Sequence, residues 1–247
     1  MLLHALSTFE TEKCDIVQGQ CAVRNANTFI TKIIAIEFSE MYNIGHQGRT
    51  SLFNLGIFGG SNGIWKGQLL IDTKMDGEML TEDIDSSVRT MLVGSKISYC
   101  SNMISYELAP LSWTSLINQR KRWSQGWLEV SLKYYRICMT STNLSLKQKV
   151  GCFFLFLERI FCIYIFIFPI IIVFNYYLRD SSISTTKIYT ILTSVNILIG
   201  AFRSIAVIFA QNQYLHTNLP KYWYIIYILF YPFYAMLMNI IQLIAHA

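Results

Sequence analysis

QRKRWSQGW, residues Gln119 to Trp127, packs three cations, two amides and two tryptophans into nine positions. It lies a short distance before the chain turns strongly apolar. On a helix, Gln119, Arg122 and Trp123 stand at i, i+3 and i+4 and share one face. Trp127 continues that face one turn later, while Arg120 and Lys121 point elsewhere. A helix lying in a membrane interface, its tryptophans and cations on lipid headgroups, fits the position. It gives no reason for Gln119 to sit with Arg122 and Trp123.

Downstream, the composition breaks near residue 150. Three apolar blocks follow, Val150 to Leu178, Ile188 to Ala210 and Tyr222 to Ala245. Each has the length of about 20 residues that a helix needs to cross a bilayer. Tyr176, Tyr177, Tyr222, Trp223 and Tyr224 sit at block ends, where interfacial aromatics anchor spans. A buried soluble helical core is the competing reading, but three such blocks in a row would leave it almost no polar face. Glu158, Arg159 and Arg203 fall within or near the blocks. They either face a partner or wet path or snorkel to the interface. The whole chain of 247 residues is 53% hydrophobic and 14% charged, with mean hydropathy +0.38. Ordinary soluble domains carry about a quarter charged residues. Fifteen of the 20 Lys and Arg residues precede Val150, which places the first half in the cytosol by the positive-inside tendency. The net charge of +5 suits phosphates or anionic lipid without demanding nucleic acid, and none is expected as a partner.

The six cysteines form no CxxC pair and read as reduced thiols, neither a zinc site nor a disulfide framework. Met1 to Lys13 lacks the basic start and apolar run of a secretory signal. Asn143-Leu144-Ser145 is a formal glycosylation sequon, relevant only in a secretory lumen.

Upstream, the first half alternates charges, glycines and short apolar runs as an α/β domain does. Cys14 to Asn25 contains a strand and then a turn. Thr28 to Tyr42 carries Ile30, Ile33, Ile34, Ile36 and Phe38 at helical spacing. Gly56 to Leu70 is glycine-rich, so backbone can approach a ligand there or simply turn tightly between strands. Leu80 to Lys96 reads as a helix, with Thr81 as N-cap and Glu82, Asp83 and Asp85 in a first turn that favours negative charge. Its apolar face is Ile84, Val88, Met91 and Leu92, and Gly94 ends it. The acids are fully accounted for as helix-start charges. Lys96 to Pro110 alternates like a strand, and Leu111 to Tyr135 is a long amphipathic helix.

Leu80-Thr81-Glu82-Asp83 followed by Gln119-x-x-Arg122-Trp123 resembles the TED and QxxRW pair of processive family 2 glycosyltransferases, which include cellulose, poly-N-acetylglucosamine and hyaluronan synthases. FGGSN (Phe58 to Asn62), TEDIDSS, SYELAP and QRKRWSQGW fall in that family's order, and the resemblance spans about Asp15 to Trp127. Hyaluronan synthases depart at the TED position, so the cellulose and poly-N-acetylglucosamine branches are nearer.

The resemblance implies an α/β fold. Residues 1–110 would be the C-terminal part of a GT-A nucleotide-diphospho-sugar transferase domain, 111–149 an amphipathic interfacial helix with QxxRW, and 150–247 about three transmembrane helices. It implies inverting transfer from a UDP-sugar to a growing β-linked polysaccharide. Asp83 would be the catalytic base, and Gln119 and Arg122 would hold the donor diphosphate. Trp123, Gly59, Gly60 and Ser61 would bind the acceptor, while Arg120 and Lys121 remain free for headgroups. Mg²⁺ or Mn²⁺ is expected for a complete enzyme, held by an Asp-x-Asp in a donor-binding N-terminal half. No Asp-x-Asp precedes Cys14, so that half is an expected partner along with donor, acceptor and membrane lipid, and a sheet without it should show an open edge. Plasma, inner or Golgi membrane is the expected location, with the catalytic part cytosolic. An inactive membrane remnant of the same fold, or a non-processive transferase acting on a lipid-linked acceptor, is the alternative.

Overall fold

The computed structural model describes residues 1–159, 202, 205–206 and 219–246. Among them a three-stranded sheet organises the first half. Strand β1 (Ile16–Val23) is central, β2 (Gly63–Trp65) runs antiparallel on one side and β3 (Ile97–Glu107) runs parallel on the other. All eight residues of β1 are buried, as expected for a strand covered on both faces. This includes Gln18 and Gln20. Gln18 is satisfied locally: its amide donates to the carbonyls of Gly19 at 2.7 Å and Ser61 at 3.0 Å, and its carbonyl accepts from the Gly59 N–H at 2.9 Å. A buried strand glutamine thus pins the glycine-rich loop over the strand's end. Among the described residues the outer edges of β2 and β3 pair with no further strand.

Helix α1 (Leu2–Glu12) ends at Lys13 in left-handed conformation and leads into β1. Helix α2 (Phe29–Ser39) starts with a reciprocal Thr28/Thr31 capping box and is buried on nearly every side. It continues as a π-helical stretch, Glu40–His46, and then as α3 (Gln47–Phe53). The helix read from Thr28 to Tyr42 is therefore the first part of a longer helical path. The short α4 (Gly67–Thr73) precedes α5 (Glu82–Leu92). Gly94, at φ +88°, lets the chain turn out of α5. Helix α6 (Trp113–Thr140) has 28 residues and begins at Ser112, whose hydroxyl accepts from the Ser115 N–H at 3.2 Å. Residues 146–159 are helical (α7), and α8 is Tyr222–His246.

Helix α6 divides two apolar cores. On one side α2, the β1 end and α8 meet through Ile33, Ile34, Leu116, Tyr224 and Tyr227. On the other, α5 and α7 meet through Ile84, Val88, Val130, Cys152 and Phe156. The stripe expected on α5 is the one used: Ile84, Val88 and Met91 are buried and Leu92 packs at the margin.

Helix α8 has 25 residues, and its most apolar 18-residue window has a mean hydropathy of 1.7 with 17% of it buried, so it is long and apolar enough to cross a bilayer. The block from Ile188 to Ala210, apart from 202 and 205–206, and the block from Val150 to Leu178 beyond residue 159, lie outside the described residues, so of the three expected spans one is seen as a helix. The five described cysteines, Cys14, Cys21, Cys100, Cys138 and Cys152, are free thiols.

Candidate active site

The start of α5 and the middle of α6 come together because residue 126 lacks a side chain. A Cβ on Gly126 would lie 2.5 Å from Thr81 Cγ2 and 2.6 Å from Thr81 Oγ1. Thr81 holds the N-cap position, but its hydroxyl makes no capping bond. Its side chain is buried against Gly126 instead, and Oγ1 has no hydrogen-bond partner. The expected cap is thus a packing contact, and the neighbouring Arg122 guanidinium fixes the junction by donating to the Leu80 carbonyl at 3.0 Å.

This junction opens onto a cavity of about 250 Å³ lined by Asp83, Arg122, Trp123, Trp127, Gly59 and Gly60 among others. That is slightly below the ~300–1,000 Å³ of drug-sized sites and suits a ligand portion the size of one sugar unit. Gly60 has φ +81°, and a Cβ there would lie 2.8 Å from Asp83 Oδ2. The bare loop backbone therefore faces the carboxylate directly. Asp83 Oδ1 accepts from the Ile84 N–H at 2.9 Å. Burial pushes the Asp83 carboxyl up to about 6, with Glu82 adding to the rise; the Ile84 N–H and the charge of Arg122 act the other way.

The opposite wall comes from the helical path after β1. Phe38, Met41, Tyr42 and His46 line it. The Tyr42 and His46 rings stack at 4.9 Å and 11°. Burial, reinforced by Arg49, holds His46 well below the usual imidazole range, so it is neutral. The π-helical turn places both rings on one side, a use to which such turns are often put at functional sites. Trp123 packs at 6.5 Å from Phe38, and the Arg120 guanidinium lies 4.5 Å over the Trp123 ring. Glu107, at the end of β3, closes the floor.

Of the seven residues singled out in the sequence, five line this cavity. Ser61 and Gln119 do not. Ser61 lies behind the loop, its hydroxyl donating to Glu107 and contacting the Cys21 thiol at 3.2 Å. Gln119 stands seven residues before Gly126, about 10 Å along the helix axis from the Gly126–Thr81 contact. Its Oε1 is buried without a partner. Arg120 corrects a second expectation. It is buried, pairs with Glu37 at 2.6 Å and has no free headgroup-binding end. Tyr234 of α8 donates to the same Glu37 oxygen at 2.8 Å. Arg159 stacks 4.9 Å over Trp127, so it has an aromatic partner within the fold.

Asp83-Ile84-Asp85 has the spacing of a metal motif, but the helix splits it. Asp85 is fully buried and receives Tyr134 Oη at 2.8 Å, Arg89 Nε at 2.6 Å and Lys133 Nζ at 3.1 Å. Among the described residues no group of three or more His, Cys, Asp or Glu side chains could hold a metal ion. These residues do not fit the expected Mg²⁺ or Mn²⁺, and no step below is routed through one.

The chain matches the family described as glycosyl transferase family group 2 over residues 1–243. It is 28% identical over 172 residues to glucomannan 4-beta-mannosyltransferase 7 of Arabidopsis thaliana, covering 66% of this chain and 31% of that protein. It is also 28% identical over 135 residues to poly-beta-1,6-N-acetyl-D-glucosamine synthase of Staphylococcus aureus, covering 54% of this chain and 33% of that protein. The matches thus span about a third of the length of these relatives. On the family match over nearly its whole length, and on its likeness to two polysaccharide-forming enzymes, the chain belongs to the family 2 glycosyltransferases.

Proposed function

We propose that the chain forms the acceptor side of a membrane-bound, inverting polysaccharide synthase that moves a sugar from a UDP-sugar to the end of a β-linked polymer. One observation carries the reading: a carboxylate that forms no ion pair among the described residues, a guanidinium and a tryptophan face one cavity beneath a side-chain-free glycine turn. Asp83 takes the proton of the acceptor hydroxyl as that oxygen attacks the anomeric carbon. A base with a pKa near 6 is ionised at neutral pH yet basic enough to accept that proton. Arg122 stabilises the negative charge growing on the leaving diphosphate. Trp123, held by Phe38 and Arg120, offers a flat apolar face to the terminal sugar ring. Gln119 acts on this reading by shaping α6, since it does not reach the cavity. The donor- and metal-binding half lies outside these residues, α8 is one of several membrane spans, and the site faces the cytosol.

The test is transfer from radiolabelled UDP-sugars in membranes that carry the chain together with a donor-binding half. Polymer formation that Asp83→Asn abolishes supports the reading. Transfer unchanged by that substitution contradicts it. Absence of any transfer by the wild type places the chain with inactive remnants of the fold.

A further inference from the structure

Glu107 has no place in the chemistry above, yet it lines the cavity. It sits at the C-terminal end of β3, held in register with Val23 of β1. The Ser61 hydroxyl donates to one of its carboxylate oxygens, Oε1, which fixes the group, and among the described residues the other oxygen accepts no hydrogen bond. Among the described residues no ion pair neutralises it. Glu82 and Asp83 line the same cavity, so three carboxylates stand against the single guanidinium of Arg122, which also donates to the Leu80 carbonyl. Of the other titratable wall groups, burial holds His46 well below the usual imidazole range and Tyr42 well above the usual phenol range, so both are neutral.

Resting on the acceptor-side reading, we propose that Glu107 is a specificity-determining residue that admits a neutral acceptor sugar and rejects a uronic acid. Its free oxygen accepts a hydroxyl of the terminal ring. A ring carboxylate brought to the same spot meets like charge in a partly desolvated pocket, which excludes by repulsion rather than by size. Interactions between charges a few ångströms apart at the protein surface correspond to preferences of about tenfold or more. Trp123 supplies sequence-tolerant stacking, and Glu107 supplies the discrimination.

The experiment uses the full 247-residue chain in lipid nanodiscs. Binding of a neutral β-linked tetrasaccharide and of its counterpart with a terminal uronic acid is measured by saturation-transfer NMR and thermophoresis. The wild type should favour the neutral ligand by at least about tenfold. Glu107→Gln, which keeps an acceptor oxygen but removes the charge, should bring the two affinities within about threefold. Glu107→Asp keeps the charge with a shorter reach, so it should hold the preference and weaken neutral binding; it also serves where the glutamine variant does not fold. An unchanged preference in Glu107→Gln, with Trp123→Ala still abolishing binding, overturns the role of Glu107 and leaves the acceptor site standing. No binding of either ligand by the wild type overturns both.

Discussion

Asp83 and Asp85 are two residues apart on one helical turn, yet their surroundings oppose each other. Asp85 points into the seam between α5 and α6, fully buried. Burial by itself would raise its pKa, but the bonds from Arg89, Tyr134 and Lys133 outweigh that and hold its carboxyl below the usual range. Asp83 points the other way, onto the glycine loop, and burial raises its carboxyl to about 6, a rise that the charge of Arg122 opposes only in part. One carboxylate is spent on holding two helices together. The other lines a cavity and forms no ion pair among the described residues, the arrangement that the proposed base role uses.

The comparison breaks most visibly through activity. In a synthase completed with its donor-binding half, Asp83→Asn should lower transfer by about 10²–10⁴-fold, measured as polymer formed per hour. The same variant should be no less stable than the wild type. A raised carboxylate pKa means the fold favours the protonated form, so this contribution is present at low pH and is lost as pH rises from 3.8 through about 6. At pH 7–8 the neutral amide removes that cost and should raise stability by ~1–3 kcal/mol. Asp85→Ala should invert the pattern. It strands a buried tyrosine hydroxyl and two cations and should destabilise by about 3 kcal/mol, the low end for a broken buried pair because Arg89 and Lys133 keep some solvent. Denaturation in detergent, followed by tryptophan fluorescence, measures both.

Arg122 and Trp123 sharpen the comparison on the α6 side. Arg122→Ala should depress polymerisation and slow donor hydrolysis alike, by ~10²–10³-fold as for other lost transition-state donors. Trp123→Ala should stop elongation and spare hydrolysis. Identical profiles would mean that the two residues act together as structure.

The smallest effect concerns the junction. Gly126→Ala should destabilise by ~1–3 kcal/mol, because the new Cβ overlaps Thr81. Thr81→Ala in the same chain should recover most of that loss, a coupling that a thermal melt of the four variants would expose.

Much of this was legible in the sequence, and the part that was not has a common cause. The helical periodicity of Leu80 to Lys96, its acidic start and its closing glycine are local properties, and α5 follows them. The short motifs around Asp83 and Arg122 named five residues that meet in one cavity. What local pattern could not carry is any contact between distant segments. Tyr42 read as the end of an apolar helix and His46 fell outside it, because nothing in the sequence announces a π-helical turn over Glu40–His46. Glu107 sat within a quoted motif without a role, since only the pairing of β3 with β1 brings it under the glycine loop. Arg120 read as free for headgroups because its partner, Glu37, is 83 positions away. Gln119 shares a helical face with Arg122 and Trp123, but helical phase says nothing about where along its axis α6 is approached. Gly126 and Thr81 decide that.

The most direct measurement is the pH dependence of transfer by the completed enzyme, wild type beside Asp83→Asn. If Asp83 is the uncompensated base facing the acceptor, the wild-type rate should fall about tenfold per pH unit below a midpoint near 6, and the residual rate of the variant should be flat across that range. A wild-type midpoint near the ordinary carboxylate value of 3.8, or an acid limb near 6 that survives in Asp83→Asn, would contradict it.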